Sequence, residues 1–197
     1  MARTQATDYA QRREAIVDRA AALYAERGFL GASIADLAKA CKTSKSLIYH
    51  YYPSKEDILF DVMDSHLRAL EGGVADVAST KGDAAVKLRA LTHSFMRLYV
   101  GAEARHKVLL NELQRLPAKR RAVIVARQRH LIEFVENLIS QMRPDLAKKP
   151  ELRLPLAMLY FGMINWTHTW YDPKGSVTPD AIADLAADTM LSGIEKK

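Results

Sequence analysis

The feature that most constrains the fold is the stretch of residues 33–55, in which two short helical patterns meet across a turn. Ser33 predicts the start of the first helix, because a serine hydroxyl at this position accepts from backbone N–H groups of the first turn. Residues 41–43 form the turn, and a second helix is predicted from Lys45 to Tyr51. Pro53 cannot continue that helix. A short second helix with cationic, hydroxyl and aromatic tips fits the major groove of DNA.

Helical spacing divides the second helix into an inner and an outer face. Leu47 and Ile48 are predicted to pack inward, whereas polar side chains are left facing outward. We predict phosphate contacts from Ser33, Ser44, Tyr49 and Lys55, and base-edge contacts from Lys45, Ser46 and His50. Lys42, Thr43 and Tyr51 complete the candidate DNA-binding set. The alternatives are that Tyr49 and Tyr51 are core or surface aromatics and that His50 is a solvated surface histidine.

These residues also resemble a known family. The stretch from Ile16 to Leu59 is similar to the helix-turn-helix region of TetR-type transcriptional regulators, and the resemblance supports Tyr49 and Lys55 most strongly. The chain departs from the family pattern at Lys42-Thr43, where Gly-Val is usual, at Ser46, and at Tyr52, where Phe is usual. The resemblance lies in Leu37-Ala38, Cys41-Lys42-Thr43-Ser44, Ile48-Tyr49-His50-Tyr51-Tyr52 and Ser54-Lys55-Glu56.

Composition narrows the class of protein. The 197 residues carry a formal charge of +6 with a pI near 9.4, which favours polyanionic partners. Cys41 is the single cysteine, so internal disulfides are excluded; we expect a buried thiol and a cytoplasmic location. The polar N-terminal stretch predicts no signal peptide, and the longest apolar run, residues 154–166, is too short to span a membrane.

Helical periodicity recurs along the whole chain, which predicts an all-α fold of about nine helices. We expect a three-helix DNA-binding domain over residues 1–53 and a larger C-terminal helical domain over residues 54–197 for effector binding and dimerisation. Gly28 is predicted to end the first helix, and Gly72-Gly73 to weaken the fourth. The predicted helices cover roughly residues 8–27, 34–40, 45–51, 55–79, 83–101, 104–116, 117–142, 152–171 and 178–194.

The last two predicted helices carry apolar residues on more than one face. The final helix, which Thr178 caps, has apolar positions at Ile182, Leu185, Ala186 and Leu191. Small residues on these helices allow close helix contact, namely Ala183, Ala186, Ala187 and Gly193. The remaining apolar surface requires a partner, so we expect a homodimer that reads a palindromic operator. A four-helix dimer interface is also what the resemblance to TetR-type regulators implies.

The C-terminal half is predicted to hold a small-molecule effector between its helices. Apolar candidates are supplemented by Arg120 and Arg127, from a basic segment over residues 97–129, because a guanidinium pairs bidentately with phosphate. The alternatives are a filled core and a solvated basic face. The complete candidate set is Leu91, Phe95, Leu98, Tyr99, Leu109, Leu113, Arg120, Arg127, Met163, Trp166 and Trp170.

Two further segments, residues 106–117 and 165–173, are similar to TetR-type regulators of fatty- or aromatic-acid breakdown that respond to acyl-coenzyme A. The resemblance implies an acyl-CoA effector, with no resident cofactor and no metal. Catalysis is not expected, because His93, His106, His130 and His168 have no partner at metal or triad spacing. We therefore predict a repressor released from DNA by its effector. The alternatives are a repressor of another apolar or aromatic ligand, as in efflux control, a repressor with no small effector, an activator, and a helical interaction module without DNA binding.

Overall fold

The computed structural model describes the backbone of residues 2–194 and the side chains of residues 9–193. This part of the chain contains no β-strand, so the predicted all-α fold is confirmed. It also contains no helix with the length and apolar composition that crossing a membrane requires. The α-helices are α1 (Ala2–Gly31), α2 (Ile34–Ala40), α3 (Lys45–Tyr51), α4 (Lys55–Ser79), α5 (Ala84–Gly101), α6 (Glu103–Glu112), α7 (Ala118–Met142), α8 (Arg153–Asn165) and α9 (Pro179–Ile194). Four short 3-10 helices join them: η1 (Leu113–Arg115), η2 (Pro144–Lys148), η3 (Pro150–Leu152) and η4 (Trp166–Thr169).

The chain forms two compact units, and each unit is built from two segments that are separate in the sequence. The first unit combines the residues up to His66 with Ala104–Ile124, and the second combines Leu67–Glu103 with the residues from Val125 onward. The predicted division into residues 1–53 and 54–197 assigns the segment 104–124 to the C-terminal domain, whereas here it belongs to the first unit. The segment that contains α6 is therefore a structural part of the unit that also contains α2 and α3.

The core of the first unit is built around α1, whose buried face includes Ile16, Ala20 and Tyr24. The helical conformation of α1 is interrupted at Gly28, which has φ 72° and ψ 160°. A left-handed φ of this kind favours glycine, since other residues place a Cβ against the backbone. The predicted break at Gly28 is confirmed, and Phe29 beyond it turns into the core at 4% exposure.

Helix α4 runs without interruption from Lys55 to Ser79, so the expected weakening at Gly72-Gly73 does not break it. Gly73 has a specific role, because a Cβ built there would lie 2.6 Å from Ser94 Oγ on α5. The glycine therefore permits close contact between the two helices, which offsets its poor helix propensity. The predicted end of the helix near residue 80 is confirmed.

The second unit is centred on α5 and α9, which pack against each other along their length. Ala183, Ala187 and Met190 form the buried face of α9. Among the apolar positions predicted for this helix, Leu185 is 63% exposed, and Ile182, Ala186 and Leu191 are only partly buried. Ala183 and Ala187, predicted to be small enough for close helix contact, are fully buried.

A ladder of charged side chains lies at the edge of the α5–α9 contact. His93 is in contact with Asp180 at 3.0 Å through Nδ1 and with Asp184 at 2.9 Å through Nε2. Arg89 pairs with Asp184 and Asp188, and Arg97 lies 3.5 Å from Asp180. Because the residue numbers on α5 fall as those on α9 rise, the two helices are antiparallel.

Helix α8 is shorter than the predicted helix over residues 152–171. It begins at Arg153 and ends at Asn165, after which the backbone tightens into η4. A 3-10 helix has three residues per turn, so side chains beyond Asn165 no longer continue the face of α8. Trp166 and Trp170, which were predicted to line an effector pocket between helices, are consequently 65% and 57% exposed.

Candidate DNA-binding surface

Two serine caps fix the helix-turn-helix. The Ser33 hydroxyl accepts from the backbone N–H of Asp36 at 3.1 Å, and the Asp36 carboxylate accepts from the Ser33 backbone N–H at 2.9 Å. This reciprocal pair is a capping box that satisfies two otherwise unpaired donors. The hydrogen bonds from Ser33 hold the pKa of Asp36 below its ordinary value. Ser44 caps α3 in the same way, accepting from the Leu47 N–H at 3.1 Å.

The turn between the two helices depends on Lys42. Its φ of 51° is the one left-handed value among the non-glycine residues that the structure describes. The Thr43 N–H donates to the Ala38 carbonyl at 2.9 Å, and the Lys42 N–H donates to the Lys39 carbonyl at 3.1 Å. These bonds hold the turn although a side chain in this conformation costs about 1 kcal/mol. Cys41 is partly buried beside it, and burial raises the pKa of its thiol.

The outer face of α3 carries the side chains expected to reach DNA. Lys45, Ser46, Tyr49 and His50 are exposed, while Ile48 on the opposite face is fully buried. Tyr49 is 51% exposed, so it is not a core aromatic. The structure thus places the base-edge candidates together on one solvent-facing stripe of a short helix, which is capped by Ser44 and held on its inner face by Ile48.

Tyr51 occupies a different environment from Tyr49. It is partly buried, with its ring centroid 4.7 Å from that of Tyr9 on α1 and 5.3 Å from that of His50. Aromatic pairs at these separations contribute packing energy. The contacts of Tyr51 with two rings support the alternative that it is a packing aromatic and not a DNA contact.

Lys55, predicted to contact phosphate, points in this structure toward the end of α1. Its ammonium donates to the Phe29 carbonyl and lies 4.1 Å from the centroid of the Phe29 ring. Burial lowers the pKa of Lys55 from its ordinary value. Lys55 therefore ties the first turn of α4 to the segment beyond Gly28.

The effector candidates do not form one cluster. Leu91, Phe95 and Tyr99 are buried in the second unit, where Phe95 stacks on Tyr99 and Phe161 at centroid distances of 5.9 and 6.2 Å. Leu98 and Met163 are partly buried in the same unit. Leu109, Leu113 and Arg120 belong instead to the first unit, because their segment packs with the helix-turn-helix.

A buried polar contact in the second unit was missed by the sequence reasoning. The hydroxyl groups of Thr92 and Tyr160 lie 3.1 Å apart, and both residues are fully buried. Tyr160 also contacts Phe161 edge to face. Helical spacing from Phe95 on α5 identifies Thr92, whereas nothing in the sequence pairs it with Tyr160, which is 68 residues away.

The arginines proposed to hold phosphate already have carboxylate partners. Arg120 pairs with Asp57 at the start of α4, and Arg127 pairs with Glu71. Arg105, from the same basic segment, is bonded to both Glu14 and Asp18 on α1. Much of the basic segment is therefore engaged in ion pairs with acidic residues from distant parts of the sequence.

His66 and His106 form a buried contact that the sequence analysis did not anticipate. His66 Nε2 lies 3.1 Å from His106 Nδ1, and both residues belong to the first unit. Burial, with a further contribution from the charge of Arg105, lowers the pKa of His66 to about 4. Among the described residues, no group of three or more potential ligands could hold a metal ion.

Known proteins resemble the chain over nearly its whole length. A TetR-family transcriptional regulator from Bordetella parapertussis 12822 is 39% identical, with a TM-score of 0.88 over 91% of this chain and 93% of its own. AibR, solved in complex with isovaleryl coenzyme A and operator DNA, is 29% identical, with a TM-score of 0.80 over 90% and 97% of the two chains. The transcriptional repressor KstR2 of Rhodococcus jostii (strain RHA1) is 24% identical over 93% of this chain and 91% of its own length.

Two family models match separate parts of the chain. Residues 16–62 match the model for bacterial regulatory proteins of the tetR family, and residues 81–194 match the model for the C-terminal domain of tetracyclin repressor-like proteins. Both describe regulators, which confirms the prediction that the chain is not an enzyme. The capped helix-turn-helix with its exposed polar stripe, together with these matches, shows that the chain is a DNA-binding transcriptional regulator of the tetR family.

Proposed function

We propose that the protein is a homodimeric repressor that binds a palindromic operator and is released from it by a small effector, an acyl-CoA thioester. The observation that carries the DNA-binding part is the stripe of Lys45, Ser46, Tyr49 and His50, exposed on a helix whose inner face is buried. A cytoplasmic location is part of the same proposal.

The side chains divide into two roles in this proposal. Lys45, Ser46 and His50 meet base edges, while Ser33, Ser44 and Tyr49 contact phosphates on either side. Lys42 and Thr43 lie at the turn, where the exposed Lys42 places a cation near the DNA phosphates. Lys55 acts on phosphate only if its ammonium leaves the Phe29 carbonyl, so we assign it a smaller share of the electrostatic affinity.

The DNA-binding surface is tested by a double variant, Lys45→Ala with Tyr49→Ala. We expect weaker binding to a duplex selected from a random pool by the unmodified protein, with a lower slope of log affinity against log salt. Lys174→Ala is the matched control, since Lys174 is also exposed but lies in the second unit. Unchanged affinity and slope in the double variant would remove the assignment.

Dimerisation is supported by apolar surface on the last two helices. Met158 and Leu159 on α8 are 48% and 65% exposed, and Leu185 on α9 is 63% exposed. Large apolar side chains left exposed on adjacent helices are typical of an interface. We expect Leu159→Glu to sediment as a monomer, whereas Leu30→Glu, at a 71% exposed position in the first unit, leaves the dimer intact. A dimeric Leu159→Glu protein would contradict this interface.

The acyl-CoA part of the proposal is supported by the likeness to AibR, which was solved with isovaleryl coenzyme A. An acyl group that entered the second unit would meet the aromatic cluster of Phe95, Tyr99 and Phe161, whose rings are buried against one another, and the hydroxyls of Thr92 and Tyr160. The pairing of Arg120 and Arg127 with carboxylates favours a second candidate, an uncharged aromatic ligand.

The two effector classes are separated by competition with the selected duplex. Isovaleryl-CoA and benzoyl-CoA are expected to release the DNA, while coenzyme A alone does not. Release by an uncharged aromatic compound, but not by either thioester, would favour the second candidate. We propose that the effector acts by changing the separation of the two recognition helices, which requires tighter binding to the DNA-incompetent state.

A further inference from the structure

The residue that follows the recognition helix is held by three elements of the first unit. Tyr52 is the C-cap of α3, and its backbone N–H donates to the Ile48 carbonyl at 3.0 Å. Its hydroxyl donates to Asp61 Oδ2 on α4 at 2.6 Å and accepts from Arg13 Nε on α1 at 3.0 Å. Arg13 Nη2 closes the triangle, lying 2.7 Å from the same Asp61 oxygen.

Tyr52 is buried, and its hydroxyl is oriented by hydrogen bonds to two charged side chains. The residue is 2% exposed, and the guanidinium of Arg13 also lies 5.1 Å from the centroid of its ring. Burial, followed by the hydrogen bond to Asp61, raises the pKa of Tyr52 well above its ordinary value, so the phenol remains a donor. Hydrogen bonds to charged groups are stronger than neutral ones and require good alignment. The hydrogen bonds to Asp61 and Arg13 therefore fix the position of the Tyr52 hydroxyl, in addition to the burial of its ring.

The position of this anchor relates it to the DNA-binding surface. Tyr49 precedes Tyr52 by three residues, and the base-edge candidates Lys45, Ser46 and His50 lie on the same seven-residue helix. The burial of Ile48 fixes which face of this short helix points inward. The hydrogen-bonded anchor at its C-terminal end limits the remaining rotation about the helix axis, and with it the directions in which the outer side chains point.

We propose that Arg13, Tyr52 and Asp61 form a positioning network that determines how well the recognition helix discriminates between DNA sequences, although none of the three belongs to the exposed stripe. The proposal rests on the DNA-binding function and concerns a departure of this chain from the usual family pattern, which has phenylalanine at this position. A phenylalanine ring fills the same space but cannot be held through a hydroxyl.

The first unit contains a matched control for the hydroxyl. Tyr24 on α1 is likewise 2% exposed, but its hydroxyl oxygen has no hydrogen-bond partner among the described residues. Removing that hydroxyl deletes a buried polar atom and no bond. Tyr24→Phe and Tyr52→Phe are thus the same chemical change in the same unit, and they differ in whether a directed contact is lost.

The test compares two duplexes, one selected from a random pool by the unmodified protein and one scrambled to the same composition. We expect Tyr52→Phe to weaken binding to the selected duplex roughly three- to tenfold, in line with one lost hydrogen bond. Binding to the scrambled duplex and the salt slope should stay within about twofold, because the phosphate contacts remain. Tyr24→Phe should leave both affinities unchanged.

The outcomes separate positioning from folding. Equal loss on both duplexes, together with a lower melting temperature, would show a purely structural role and overturn the proposal, as would unchanged discrimination in Tyr52→Phe. If Tyr52→Phe does not fold, Asp61→Asn provides the second variant. It should reduce the ratio of the affinity for the selected duplex to the affinity for the scrambled duplex. Failure of the unmodified protein to select any duplex would instead contradict the DNA-binding function itself.

Discussion

The two compact units differ in what fixes their helices. In the first unit, the short helices α2 and α3 begin at capping serines, and the turn between them contains Lys42 in a left-handed backbone conformation. In the second unit, α5 and α9 are oriented by packing between distant parts of the sequence, with Ala183 and Ala187 at the contact. Short helices depend on their ends because they have few internal hydrogen bonds, whereas long helices derive most of their stability from tertiary packing.

The largest expected effect tests the packing side of this comparison. Phe95→Ala should lower the free energy of unfolding by about 3–5 kcal/mol, because Phe95 is fully buried between Tyr99 and Phe161 and its removal leaves a cavity. Trp166→Ala is the control, since Trp166 is 65% exposed. Urea denaturation measures both variants. A larger loss from Trp166→Ala at protein concentrations where the chain is monomeric would reverse the assignment of core and surface.

An intermediate effect concerns pH and belongs to the first unit. The pKa of His66 is lowered by burial to about 4, so between about pH 6.5 and 4 the unfolded chain binds more protons than the folded one. Stability should therefore fall as the pH falls through this window, by up to about 3 kcal/mol, and level off below it.

His66→Gln should flatten this pH dependence in urea titrations at pH 7, 6, 5 and 4.5. His130→Gln is the matched control, because His130 is exposed and lies in the second unit. An unchanged slope in His66→Gln would mean that other groups dominate the acid response of the protein.

The smallest effect tests the capping side. Ser44→Ala removes the hydroxyl that accepts from the Leu47 N–H and should lower stability by about 1 kcal/mol. Ser44→Asp preserves an acceptor at the same position and should retain most of the stability. Thermal unfolding followed by circular dichroism gives both values. Unchanged stability in Ser44→Ala would indicate that the cap contributes nothing to α3.

Much of the first unit could be predicted from sequence because its signals are local. Ser44, Pro53 and Gly28 each end or begin a helix through the chemistry of one residue. The same holds at Thr178, whose hydroxyl accepts from the Ala181 N–H at 3.1 Å where the last helix was expected to begin. The outward placement of Tyr49 followed from helical spacing alone.

The remaining features depend on contacts between distant residues. His66 meets His106 across 40 positions, and the partners of Arg120 and Arg127 are 63 and 56 residues away. Apolar spacing continued through Trp166 and Trp170, so it could not show where α8 tightens into a 3-10 helix. Lys45, Ser46, Tyr49 and His50 share one exposed face of α3, whereas Tyr51 packs on Tyr9 and Lys55 contacts Phe29. The effector candidates are divided between the two units.

The charged ladder between α5 and α9 has a repeat of one helical turn. Arg89, His93 and Arg97 are four residues apart, as are Asp180, Asp184 and Asp188, so sliding one helix by a turn would recreate all but the terminal pairs. Such a pattern favours opposite polarity of the helices without choosing a single alignment. The alignment of α5 with α9 along their axes is therefore set by the buried side chains of Ala183, Ala187 and Met190, which differ in size. Apolar packing, and not the ion pairs, determines the register of this contact.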